Sequence, residues 1–347
     1  MALQQYLSSL FQSLRLHLFV LTFRLLLRWR TAAHIQRDAN VLPLSEAGVR
    51  KRRIQIPSRD PGRSIAADLY LPLTHDGKDD ALRESKLPVL VNWHGSGFVF
   101  PLHGTDAYFC TRMARDAGVA VLDADYRKAP EHPYPAAIDD AEDALRWIAS
   151  PSTAAAYNLD PSRVAVSGFS AGGHIAAVAA SHLKQKLKAD KESAMKIEML
   201  LSIYGSADIA TDGAMKKPPS PNLRAHAPWI LNMFAEAYAP DPPFSRSDPA
   251  ISPAFADPDA FPPTTAFLTC EGDNLRWEIE TLVARLKEGG INDEGKREVH
   301  CKMLEGVCHA FDKGIKEDGG GSLTWIRREE AYAWAASLLK KTLHPSR

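Results

Sequence analysis

Cysteine is scarce. The four in 347 residues, Cys110, Cys270, Cys301 and Cys308, form neither a CxxC pair nor the paired spacing of a zinc site. No Asn-x-Ser/Thr acceptor occurs either. These absences fit a reduced, cytoplasmic setting and give no reason to expect a metal or a cofactor. Charge of one sign is missing too: Lys+Arg and Asp+Glu both number 42, so no bulk field draws the chain toward nucleic acid. A small or neutral partner is the expectation. There is no internal repeat and no low-complexity tract, and 45% apolar against 24% charged residues is ordinary globular composition. The length allows a large core, as one domain with insertions.

Long apolar runs are missing as well, which matters most at the N-terminus. Leu3, Leu7, Leu10, Leu14, Leu18, Leu21 and Leu25 mark one helical stripe, widened by Leu16, Phe19, Val20, Phe23 and Leu27. Arginines at 15, 24, 28 and 30 interrupt it, and the uncharged run between Arg15 and Arg24 is far shorter than the roughly 20 residues of a spanning helix. A secretory signal does not fit, because arginines sit inside and after the apolar part and no small-residue cleavage site follows. Two readings stand: an amphipathic helix covering a pocket, which is favoured, or one lying in a membrane interface through residues 1–30.

What is present reads as alternating strands and helices. Arg53–Ile56 and Ile65–Leu71 alternate around Ser58-Arg59-Asp60-Pro61-Gly62 and predict a hairpin-like pair. Thr74–Lys86 reads as a loop. Leu87–Trp93 is a continuous apolar strand of the kind buried on both faces of a parallel sheet. Helix Asp106–Ala117, strand Val119–Ala124, the proline-rich loop Asp125–Pro135 and helix Ala137–Ala149 follow. A strand around Val164–Ser167 then enters Gly168-Phe169-Ser170-Ala171-Gly172-Gly173, and helical spacing runs on from Ala171 to Lys188. Strands Ile197–Tyr204, Thr264–Thr269 and Val299–Leu304 and helices Trp277–Glu288 and Leu323–Leu343 complete a mostly parallel α/β pattern. Proline clusters bracket a helix at Ala225–Ala239, which reads as an insertion over the sheet edge.

A Gly-x-Ser-x-Gly turn between strand and helix lifts a hydroxyl off the sheet end, although the pattern by itself is weak. A serine becomes a useful nucleophile only beside a base that an acid holds. In open parallel sheets such groups gather beyond the carboxyl ends of the strands. Strand Thr264–Thr269 runs into Cys270-Glu271-Gly272-Asp273-Asn274, where Asp273 could equally be a helix N-cap and Glu271 competes. Strand Val299–Leu304 runs into Glu305-Gly306-Val307-Cys308-His309. His174, one turn after Ser170, competes as base, but the chain order Ser…Asp…His favours His309. His94-Gly95-Ser96-Gly97 follows an earlier strand, where small residues leave backbone N–H groups free, and with the N–H of Ala171 they would make a three-donor oxyanion hole.

Taken together, HGSG, DYRKAPEHPYPAA, GFSAGG, DPAISP, GDNLR and GVCHAFD resemble the hormone-sensitive-lipase-like family, the bacterial type IV or α/β-hydrolase-3 group, from about Leu87 to Phe311. The resemblance implies an α/β-hydrolase fold with a helical cap and hydrolysis of short to medium carboxylic esters by a Ser-His-Asp triad. It implies Ser170 as nucleophile, His309 as base and acid, Asp273 as its orienting partner, and the N–H groups of Ser96, Gly97 and Ala171 as the oxyanion donors. Residues 47–205 and 253–347 would form the catalytic domain, 206–252 the cap insertion and 1–46 an N-terminal cap segment. Phe98, Phe169, Trp229, Met233 and Phe234 are candidate pocket residues, with the buried face of a helix as the alternative for those of the insertion. The chain departs from the family at Ser96, where HGGG is usual and a side chain would enter the site wall. It departs again at Phe169, where an acidic residue is usual. Lactonase, amidase or acyltransferase activity on the same fold remains open, as does a non-catalytic receptor resembling the gibberellin receptors, which lack the histidine.

Overall fold

The structure, a computed structural model, describes residues 2–73, 85–189, 195–216, 220, 223, 225–289, 297–313 and 321–344. The segment read as a loop at Thr74–Lys86 lies outside them except for its last two residues.

Helix α1 (Ala2–Val41) and a short α2 (Leu44–Ala47) lead into β1 (Val49–Pro57) and β2 (Ser64–Pro72), an antiparallel pair in which Ile56 faces Ile65. Then come β3 (Leu87–Trp93), α3 (Ala107–Ala117), β4 (Ala120–Ala124), α4 (Ala136–Ala149), α5 (Pro151–Ala156) and β5 (Leu159–Phe169). Helix α6 (Ala171–Val178) does not run unbroken to Lys188: a π-helical turn at Ala179–Leu183 separates it from α7 (Lys184–Ala189). Strand β6 (Ile197–Ile203), α8 (Pro228–Tyr238), β7 (Thr264–Cys270), α9 (Arg276–Glu288), β8 (Glu298–Leu304) and α10 (Leu323–Leu343) complete the described elements. Helix α8 is shorter than its periodicity predicts because Pro228 occupies its first turn, a position that suits a residue without an N–H.

The strands form one sheet in the order β1-β2-β4-β3-β5-β6-β7-β8, parallel from β4 to β8. Helices cover both faces, as all-parallel strands require. Alternation along the strands supplies two cores. On β3, Val89, Val91 and Trp93 face α4, α6 and α9, while Leu90 faces α3 and α10. On β5, Val164 and Val166 point to the first face and Ala165 and Phe169 to the second.

Helix α1 is docked along one side. Val20 is buried with Val99, Ala129 and Ala237. The Arg24 guanidinium donates to Val99 O and Ala129 O, both at 2.8 Å, and pairs with Glu131 at 2.6 Å. Further along, buried Asp38 accepts the Tyr108 N–H at 2.8 Å. The residues read as widening the leucine stripe include the docked ones, while Leu14, Leu18, Leu21 and Leu25 are exposed. No helix among the described residues is long and apolar enough to cross a membrane.

Burial pushes the Asp38 carboxyl up from 3.8 to about 6. A carboxylate penalised in the folded state destabilises progressively as pH rises from its unfolded value through its folded one. Asp38→Asn keeps an acceptor for Tyr108 and removes that penalty. Its expected unfolding free energy matches the parent near pH 4 and exceeds it near pH 8 by up to about 3 kcal/mol, read from denaturant titrations at both values.

Candidate active site

At the carboxyl end of β5 the chain reverses into α6 through Ser170, whose φ of 53° and ψ of −117° are costly for a residue with a side chain. The surroundings enforce this bend. A Cβ on Gly172 would lie 1.9 Å from Trp93 O, and one on Gly168 would lie 2.3 Å from the Gly172 carbonyl carbon. Strand and helix therefore meet at backbone distance, and the Ser170 side chain is left standing above the sheet.

The loops after β7 and β8 bring two partners. His309 Nε2 lies 2.8 Å from Ser170 Oγ, and His309 Nδ1 lies 2.7 Å from Asp273 Oδ2. A carboxylate only accepts, which places the imidazole proton on Nδ1 and leaves Nε2 as acceptor for the serine hydroxyl. Asp273, 1% exposed, divides its oxygens: Oδ1 accepts the Leu275 N–H at 2.9 Å while Oδ2 holds the histidine. The turn-capping and histidine-holding readings of this residue describe its two oxygens. Glu271 instead accepts the Gly306 N–H at 2.8 Å and braces the two loops. His174 is fully buried, its ring edge-on to Phe98 and Tyr238, and burial pushes its pKa down to about 4.

The HGSG loop sits beside the serine. Gly95 approaches Phe169 O so closely that a Cβ would lie 3.0 Å away. Among the described residues, the N–H groups of Ser96, Gly97 and Ala171 donate to no other protein group. The Ser96 side chain does not enter the site wall. Its hydroxyl turns to the Tyr126 hydroxyl at 2.5 Å, and Tyr126 donates to His94 O at 2.8 Å. The proline-rich loop that supplies Tyr126 is fixed by Asp125, which accepts from Lys128 at 2.6 Å, lies 3.1 Å from His94 Nε2, and is held well below the usual carboxylate range by these two. A cavity of about 50 Å³ opens over Ser170, Gly97, Ala171 and His309.

A family model described as alpha/beta hydrolase fold matches residues 90–313. The chain belongs to this α/β-hydrolase-3 family. Carboxylesterase NlhH of Mycobacterium tuberculosis is 34% identical over 214 residues, 60% of this chain and a little under two thirds, 63%, of NlhH. Ethyl acetate hydrolase of Pseudomonas putida is 29% identical over 259 residues, 74% of each chain. Among solved structures, the hyperthermophilic esterase of Pyrobaculum calidifontis matches with a TM-score of 0.72 at 28% identity, covering 93% of both chains.

Within this α/β-hydrolase-3 site, Phe98 and Phe234 line the cavity, but three pocket candidates do not. Phe169 is fully buried on the opposite face of the sheet, because strand alternation turns it away from the serine. It packs edge-on to Phe109, and the Lys313 ammonium sits 3.9 Å from its ring centroid. Burial alone would lower the Lys313 pKa, but Asp106 and Asp312 outweigh it and keep the amine charged. Trp229 is half exposed against Phe19, and Met233 packs beside Val20 and Val99. Helical rotation explains both: α8 turns Leu231, Phe234 and Ala235 to the cavity, so Trp229 and Met233 fall on its other side.

Three contributors escaped the sequence reading. His226 lines the cavity with its ring centroid 4.7 Å from that of His309. Buried Lys216 lines it too, paired with Glu278 at 2.6 Å. Asn274, next to Asp273, ties both down: its Oδ1 accepts the His226 N–H at 2.8 Å, and its Nδ2 donates to Lys216 O at 2.8 Å and His226 O at 3.2 Å. Gly272 completes the seat, since a Cβ there would lie 2.5 Å from Leu223 Cβ.

Truncating Asn274 orphans these backbone groups without touching the Asp273–His309 contact. Asn274→Ala is expected to lose about 1–3 kcal/mol of stability and to be cut faster by trypsin between Lys216 and His226, as timed gel digests would show.

Proposed function

We propose that the protein hydrolyses carboxylic esters through an acyl-enzyme intermediate. The observation that carries this reading is the run of contacts from Asp273 through His309 to Ser170 at the floor of a cavity bordered by unused backbone N–H groups. The named activities of NlhH and of the ethyl acetate hydrolase support it.

In the first half-reaction His309 Nε2 takes the Ser170 proton as Oγ attacks the ester carbonyl carbon. The carbonyl oxygen becomes an oxyanion, received by the N–H groups of Ser96, Gly97 and Ala171. The tetrahedral centre collapses, the bond to the alkoxy oxygen breaks, and the alcohol leaves with the proton from His309. Water then gives its proton to His309 and attacks the acyl-enzyme, and the acid is released with Ser170 restored. An imidazolium cannot accept a proton, so the neutral imidazole is the form of His309 that starts each half-reaction.

Cavity size supports a small acyl group. About 50 Å³ holds a few waters or an acetyl-sized group. The Phe234 ring lies against Gly97, so closely that a Cβ there would sit 2.5 Å from it. A longer chain requires that ring to move.

Two measurements test the reading with chromogenic acetate, butyrate and octanoate esters. Ser170→Ala should reduce turnover by about a million-fold; retention of a tenth of the rate refutes the assignment, and a wild type that binds esters without turnover points to a receptor. Phe234→Ala should shift kcat/KM toward the octanoate by about tenfold or more relative to the acetate.

A further inference from the structure

Among its residues with described side chains, from Leu14 on, helix α1 carries two apolar stripes, and the fold buries one of them. Val20 and Arg24 face the body, and Asp38 shares their side of the helix. Rotated from Val20 by roughly 140° at about 100° per residue, Leu14, Leu18, Leu21, Leu25 and Trp29 form a line at spacings of four, three, four and four. Each is between 50% and 73% exposed, and Leu26, 67% exposed, adjoins them. The same spacing continues in the sequence back through Leu10, Leu7 and Leu3. The Arg24 contacts with Val99 O, Ala129 O and Glu131, and the Asp38 contact with Tyr108, prevent the helix from rolling to bury this outer line.

Charge around the line selects its occupant. Arg15 and Arg28 flank it on either side with Arg30 beyond, and no Asp or Glu precedes Asp38. The whole chain is formally neutral, so this positive charge is segregated onto one helix. A second copy docked on the same stripe would bring arginine rows together with no acidic partner near them, since the acid of the helix, Asp38, is buried against the body. An anionic lipid surface offers the complement: acyl chains for the leucines, the interfacial zone for Trp29, and headgroup phosphates for the arginines.

We propose that the outer face of α1, from Leu14 to Arg30, docks the protein on anionic membrane surfaces. The orientation has a use. A cavity of about 720 Å³ has Leu16 and His17 of α1 in its wall together with Glu236 of α8. It shares Ile209, Thr211 and Ala235 with the cavity over Ser170. Leu16 packs with Val20 on the body side of α1, so docking puts about one helix width, roughly 10 Å, between the bilayer and this cavity wall, and on the ester-hydrolase reading given above it favours esters that partition into lipid.

The test is co-sedimentation of the full chain with vesicles of phosphatidylcholine alone or with about 30% phosphatidylserine, at low and high salt. The wild type should pellet with the anionic vesicles, release as salt rises, and lose about tenfold in bound fraction in Leu21→Glu/Leu25→Glu. Arg15→Ser/Arg28→Ser should weaken binding to the anionic vesicles only. All these positions are exposed, and unchanged circular dichroism and melting would show that the variants fold. Failure to bind either vesicle, or equal binding to both, overturns the proposal. So does a concentration-dependent dimer, seen by sedimentation equilibrium, that the double leucine variant abolishes, since it assigns the stripe to a second copy. Binding is read without turnover, and Ser170→Ala should bind as the wild type does, so failure of the hydrolase reading leaves this result distinct.

Discussion

The contact between Gly172 and the carbonyl of Trp93 is the constraint on which the site depends. With no side chain between them, α6 starts against the end of β3, and β5 must turn into it within a single residue. That residue is Ser170, and its positive φ is the strain of the turn. The same closeness brings the HGSG loop after β3 alongside the serine, so the donors and the hydroxyl are aligned by backbone packing and not by flexible side chains. Preorganisation of this kind is what a site needs where charge develops briefly.

Around that fixed point, the loop after β7 has two tasks. Asp273 orients His309, while Gly272 and Asn274 seat Leu223, Lys216 and His226. A shift of Lys216 or His226 and a shift of His309 thus share one short stretch of backbone. The ring of His226 against His309 is the visible result.

Much of this was legible in the chain. Strand β3 and helix α10 keep the bounds that their patterns predict, because a continuous apolar run and a long 3.6-residue period leave little choice. The meeting of Ser170, Asp273 and His309 was legible because a parallel sheet gathers the loops after its strands at one end. The pocket was not. Phe169 follows strand alternation into the second core, and the rotation of α8 decides between Phe234 and Trp229, a quantity that composition does not carry. The Asn274 clamp joins backbone 48 residues away, beyond any local pattern. In α1 the leucine period was plain, but which stripe met the body depended on Arg24 reaching carbonyls in two distant loops.

That guanidinium has a mechanical consequence. Val99 lies two residues beyond Gly97, and its amide in turn donates to Ser96 O. One arginine side chain thus anchors the rim of the HGSG loop and the proline-rich loop to the same helix. The N-terminal helix is therefore a strut of the scaffold around Ser170, and trimming it away would release the loop whose backbone amides lie beside the serine.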